Sequence, residues 1–122
     1  MGAFEIVVMG GDGIGPEVTA EATRALLAVG ERFGHTFTLR EALVGQAAVD
    51  REGAAISDAT MALCQRADAV LFGAVGGVSA GNPNDVREPM YSIFRLRRDL
   101  KLFANLRPVR PLPALLGAST LK

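Results

Sequence analysis

The chain of 122 residues has no tryptophan, one tyrosine, one cysteine, one histidine and two lysines. Each scarcity excludes something. Cys64 has no partner for an intrachain disulfide, and its apolar helical surroundings mark it as core filler. His35 sits in Gly34-His35-Thr36, at an expected helix-to-strand turn. No cysteine or carboxylate pattern around it suggests a metal, so it reads as a surface residue. Nucleic-acid surfaces are usually lysine-rich and interleaved with aromatics, and this chain is neither. No apolar run approaches the ~20 residues a membrane helix needs. The start, Met1-Gly2-Ala3-Phe4-Glu5, has no basic or apolar leader region. The expected setting is cytoplasmic, with no membrane partner.

What is present is ordinary globular material: 49% hydrophobic and 21% charged residues, which argues against wholesale disorder. The core must rest on Val, Leu, Ile, Ala and Phe. Net charge is zero but unevenly spread. Residues 1–86 carry five arginines against eleven carboxylates, a net of −6, and residues 87–122 carry +6. A basic C-terminal part suits an anionic ligand.

The pattern predicts alternating strands and helices. Phe4–Met9 is a β-branched run, followed by a glycine-dense turn at 10–16. Pro16 opens a helix with Val18, Ala22, Ala25, Leu26 and Val29 as its apolar stripe, stopped at Gly34. Thr36–Val44 reads as a strand, and 45–55 as loop or a short irregular piece. Ser57 or Asp58 caps a helix through Ala67, with Met61, Leu63 and Cys64 inward. Ala69–Phe72 reads as a strand covered on both faces. A loop over 73–88 precedes a helix over 90–100 with Ile93, Leu96 and Leu100 on one face. Phe103–Val109 reads as a strand or extended segment, and 111–122 as a connection. This order argues for an α/β layered fold with a largely parallel sheet.

Gly11-Asp12-Gly13-Ile14-Gly15-Pro16 is neither a Rossmann fingerprint, since position 16 is proline, nor a Walker A loop. Glycines at a helix N-terminus can admit a ligand, but a tight turn with no ligand is equally open. Gly73-Ala74-Val75-Gly76-Gly77 alone is a strand ending in a glycine turn. Arg97 lies about 40° from Ile93 on an ideal helix. It borders the apolar stripe, where an arginine can simply snorkel at the edge of a core. Arg95 and Arg110 read as solvated surface.

Longer strings are more specific. GDGIGPEV at 11–18, LFGAVGG at 71–77 and RLRRDLKLFANLRPVR at 95–110 fall in the order and near the spacing of the isocitrate/isopropylmalate dehydrogenase family, which the chain resembles over nearly its whole length. The segment ANLRP favours the isopropylmalate branch. The resemblance implies a three-layer α/β fold with a largely parallel sheet, not a Rossmann fold, incomplete within this chain. Residues 1–102 would form the first part of the cofactor-binding domain and 103–122 the start of a second. It implies cofactor contacts from Ile14, Gly76, Gly77 and Val78, and substrate contacts from Arg97, Arg107, Ile93 and Phe94. Arg97 and Arg107 match two arginines that clamp a substrate carboxylate, chemistry suited to bidentate guanidinium pairs.

There are departures. Met90, Ile93 and Phe94 stand where the isopropylmalate enzymes have a glutamate and two leucines, and 78–85 lacks the usual Pro-Lys start. The substrate is left open among alkylmalates, tartrate-like and isocitrate-like acids.

The family oxidises a malate-type 2-hydroxy acid with NAD or NADP and decarboxylates the product with Mg or Mn. Its metal-binding aspartates, proton-handling lysine and tyrosine, and third clamp arginine follow the ANLRP strand. Tyr91 precedes that strand and so does not match the family tyrosine. No catalytic residue and no metal ligand is therefore expected in this chain. Family chains are about three times as long and form homodimers. Three expectations stand: a segment of a dehydrogenase, a truncated non-catalytic homologue that docks on a subunit, and a free-standing anion binder.

Overall fold

In the computed structural model of the protein, residues 1–76, 82, 84–110 and 112–118 are described. Three parallel strands form one sheet in the order β2-β1-β3: β1 (Ala3–Gly11), β2 (Thr36–Glu41) and β3 (Ala69–Ala74). Val7 of β1 is opposite Arg40 on one side and Val70 on the other. The helices are α1 (Gly15–Phe33), α2 (Gln46–Glu52), α3 (Asp58–Arg66) and α4 (Pro89–Asp99), followed by a 3-10 turn at Pro113–Ala118.

The β1-to-β2 and β2-to-β3 connections run in opposite directions across the sheet. Right-handed crossovers then place α1 on one face and the later helices on the other, giving three layers. Side-chain alternation along β1 agrees with this arrangement. Val7 and Met9 are fully buried with Val44, Ile56, Met61, Cys64 and Leu96, which is the main core. Val8 and Gly10 face α1 and border Pro16, Thr19, Ala20 and Thr23. Burial pushes the Cys64 thiol up, so it stays protonated within the core.

Helix α1 corrects one expectation. Val18 and Val29, assigned to the inward stripe, are nearly half exposed, and Ala25 is exposed too. The buried positions are Gly15, Thr19 and Gly30, with Ala22, Thr23 and Leu26 half-buried. The cause is how closely helix and sheet approach. A Cβ at Gly15 would collide with the Gly10 carbonyl and the Ala74 backbone, so the smallest residues face the sheet. Thr19 satisfies its hydroxyl internally by donating to the Gly15 carbonyl at 2.6 Å. Gly34 ends the helix as expected, in the left-handed conformation with φ 70°.

Other elements differ from expectation. β2 ends at Glu41, because the chain then leaves the sheet to bury Val44 in the core. Within 45–55, expected as loop or a short irregular piece, residues 46–52 form helix α2, entered through Gly45 at φ 75°. Ser57, one of the two proposed caps, accepts the Thr60 N–H at 3.3 Å. β3 extends to Ala74 but is only partly buried, because it lies at an edge of the sheet. Residues 103–109 form no strand, and the whole stretch is exposed. A strand needs a neighbour, and no described segment pairs with this one.

Arg95 is not solvated surface. Its side chain is 18% exposed. It donates to the Ile56 carbonyl at 3.0 Å and to Asp99 at 3.2 Å, and it pairs with Asp58. It thus joins α4 to the start of α3. His35 is half-buried: its Nδ1 accepts the Gly2 N–H at 3.3 Å, and its ring leans on Phe4 and Phe37. That is a structural role.

Candidate functional site

Parallel strands deliver their ligand-binding loops at their carboxyl ends. Here β1 and β3 end side by side, with Gly11 opposite Ala74. Gly11 and Gly13 have φ of 78° and 56°, a region open to glycine at little cost, so the chain can reverse between β1 and α1 within three residues. The turn closes with the Gly15 N–H donating to the Asp12 carbonyl at 2.8 Å. Ile14 is left 58% exposed at the tip, just before the N-terminus of α1. Among the described residues, nothing lies within 4 Å of a Cβ built on Gly13 or on Gly76.

The loop after β3 meets this turn. The Asp12 N–H donates to the Ala74 carbonyl at 2.6 Å, and the Asp12 carboxylate accepts the Gly76 N–H at 3.3 Å. Two of the expected cofactor residues, Ile14 and Gly76, therefore belong to loops bound to each other. Gly77 and Val78, the other two, lie outside the described residues. Asp12 was not singled out in the sequence. The only signal for it was a carboxylate between two glycines, a common turn composition.

The expected substrate residues lie on α4 and beyond. The helix begins with Pro89 and turns Ser92 and Leu96 inward, with Ile93 half-buried. Met90, Phe94 and Arg97 fall at i, i+4 and i+7, one exposed row of two apolar side chains and a cation. Three arginines sit within four positions, and carboxylates neutralise two of them. Arg98 donates to Asp99 at 2.8 Å, while Arg95 pairs with Asp58 and Asp99. The Arg98 guanidinium, and secondarily Arg95, hold the Asp99 carboxyl below its ordinary range. Arg97 forms no ion pair among the described residues. It borders an open groove of about 820 Å³ with Val70 and Phe72 of β3 and residues 102–106. Arg107 is exposed on the extended stretch just past that groove, and likewise has no ion pair among the described residues.

Among the described residues no three His, Cys, Asp or Glu side chains cluster as a metal site. Nor is any described helix long and apolar enough to cross a membrane.

A three-stranded parallel sheet between helical layers, with a glycine turn that lacks the Rossmann fingerprint, defines the class: an α/β fold that is not of the Rossmann type. The chain belongs to the isocitrate/isopropylmalate dehydrogenase family, whose sequence profile matches residues 5–122. It is 50% identical over 118 residues to the 3-isopropylmalate dehydrogenase of Anaeromyxobacter dehalogenans, a match covering 97% of this chain and 33% of that protein. Against the 3-isopropylmalate dehydrogenase of Geobacillus kaustophilus it is 48% identical, with 100% and 33% covered. The apo crystal structure of a beta-decarboxylating dehydrogenase from Thermococcus kodakarensis superposes with a TM-score of 0.62 at 33% identity, over 80% of this chain and 27% of that one. The chain thus spans about a third of the length of the curated relatives it matches.

Proposed function

We propose that these residues are the opening third of a metal-dependent NAD or NADP oxidoreductase. It oxidatively decarboxylates a malate-type 2-hydroxy acid, with 3-isopropylmalate the leading substrate and leucine biosynthesis the setting. The observation that carries this reading is Arg97. Among the described residues it is the one arginine of α4 without an ion pair, and it stands at the end of an exposed apolar row. A guanidinium in line with Met90 and Phe94, with Arg107 assigned as the second arm of the clamp, suits an anion with an alkyl side chain, carboxylates on the arginines and hydrocarbon on the row. Ile93, half-buried on the same helix, is assigned to the substrate's side chain together with Phe94.

The turn at Gly11–Gly15 and the loop at Gly76, Gly77 and Val78 are assigned to the cofactor, with Ile14 against its ring. The space left at Gly13 by the described residues fits the approach of a planar ligand. The nicotinamide supplies the hydride acceptor. The described residues hold no complete metal site, so the ligands for Mg or Mn are assigned to the remaining two-thirds of a family-length chain. That remainder is also expected to cover the half-exposed edge of β3 and the exposed Val18 and Val29 of α1. On this reading 1–102 belong to the first domain and 103–122 open the second. The full-length protein is a cytoplasmic homodimer.

The test is to follow NADH or NADPH formation by the family-length polypeptide with 3-isopropylmalate, tartrate and isocitrate, with Mn and then with EDTA. Turnover of one acid that EDTA abolishes is expected. No turnover of any of them would overturn the reading.

A further inference from the structure

We infer that Asp12 is a positioning residue that fixes the two cofactor loops against each other, an inference that rests on the cofactor site proposed above. Asp12 is the first residue after β1, and its main chain is held on the end of β3 by the bond to Ala74. Its carboxylate then reaches two other segments. Oδ1 accepts the N–H of Gln46, the first residue of α2, at 2.8 Å, and Oδ2 accepts the N–H of Gly76 at 3.3 Å. These partners lie 34 and 64 residues away in sequence. Gly45 makes the approach feasible, because a Cβ there would collide with the Asp12 carboxylate.

The arrangement has a direction. α2 is anchored by its own packing, with Ala48 buried and the Gly45 N–H donating to the Ala55 carbonyl at 2.8 Å. Gly76 has no other hydrogen bond among the described residues. The carboxylate therefore takes its reference from α2 and passes it to the loop that carries Gly76. It also sits two residues before Ile14, so it sets the tip of the glycine turn and the start of the second loop together. Binding a cofactor between two loops costs less when they are already fixed in relation to each other. Loss of Asp12 is expected to weaken cofactor binding without touching the substrate arginines.

The experiment uses the family-length polypeptide and two readouts, NADH affinity by fluorescence titration and steady-state kinetics with 3-isopropylmalate. Asp12→Ala removes both acceptors, and the expected result is a rise in NADH Kd and in KM for NAD of about tenfold or more. KM for the hydroxy acid should stay within about twofold, since the substrate contacts are untouched. Asp12→Asn keeps one carbonyl acceptor and should fall between wild type and Asp12→Ala. Should Asp12→Ala fail to fold, Gln46→Pro decides. It deletes one donor at a helix start where proline is tolerated, and it should raise the NADH Kd in the same direction. Variants that bind NADH as wild type does, whatever their melting temperature, would overturn the inference and leave the proposed function standing. Wild-type protein that binds neither NADH nor NADPH would overturn both.

Discussion

Arg95, Arg97 and Arg98 are close neighbours on α4, yet their surroundings differ. Arg95 and Arg98 are paired with Asp58 and Asp99, whereas Arg97 has no ion pair among the described residues. Helical periodicity could place Arg97 at the margin of the apolar stripe. It could not reveal that Arg95 is a tie between α4 and α3, because its partners Ile56 and Asp58 are 39 and 37 residues away. Replacing Arg95 with Met removes the hydrogen bond to the carbonyl of the buried Ile56 and the ion pairs with Asp58 and Asp99. A loss on the order of 1–3 kcal/mol is expected, seen as a lower urea midpoint with kcat little changed. The same network gives a sign for pH. Arg98, and then Arg95, depress the Asp99 carboxyl, so its contribution to stability is present above the unfolded aspartate value of about 4 and is lost as pH falls below it. Acid unfolding curves of Asp99→Asn should show a weaker dependence on pH in that range than wild type.

At the scale of elements, the alternation of strands and helices along the chain, apart from α2 and the expected strand at 103–109, was legible from apolar periodicity and glycine–proline punctuation. β1, α1, β3 and α4 all fall within a few residues of their expected bounds. Side-chain orientation was less legible. In α1 the larger apolar residues suggested the inward face, but the helix presses Gly15, Thr19 and Gly30 to the sheet instead. Sequence hydrophobicity cannot anticipate that a backbone will approach so closely that only small residues fit. Helix α2 was missed because its start depends on Asp12, 34 residues earlier, and on a positive-φ glycine rather than on any local apolar period. The close approach carries a prediction. Gly15→Ala places a methyl against the Gly10 carbonyl and the Ala74 backbone. Neither is a flexible side-chain end, so the helix must shift. A destabilisation of about 1–3 kcal/mol is expected, together with weaker NADH binding, since the same shift moves the turn.

At the scale of the whole molecule, two features stand together: a small buried core on one side of the sheet, and many large apolar side chains left in contact with solvent. Phe103, Leu106 and Val109 are almost wholly exposed, and Phe33, Leu102 and Leu112 more than half so. Among the described residues, neither outer strand of the three-stranded sheet has a further neighbour. Expressed as these 122 residues alone, the chain should bind a hydrophobic dye strongly and associate at micromolar concentration. A monodisperse, dye-silent monomer in size-exclusion chromatography would argue that it needs no covering partner. The family was readable from three motif strings. The geometry adds which arginine is free and which loops are joined. Whether the free arginine does what is proposed is the central question. The decisive measurement is kcat/KM for 3-isopropylmalate in the family-length protein, wild type against Arg97→Ala. A loss of about tenfold to a hundredfold is expected, the worth of one charged hydrogen-bonded contact, with NADH affinity unchanged. Equal kcat/KM in the two proteins would contradict the assignment of Arg97, and with it the reading of α4 as the substrate-binding helix.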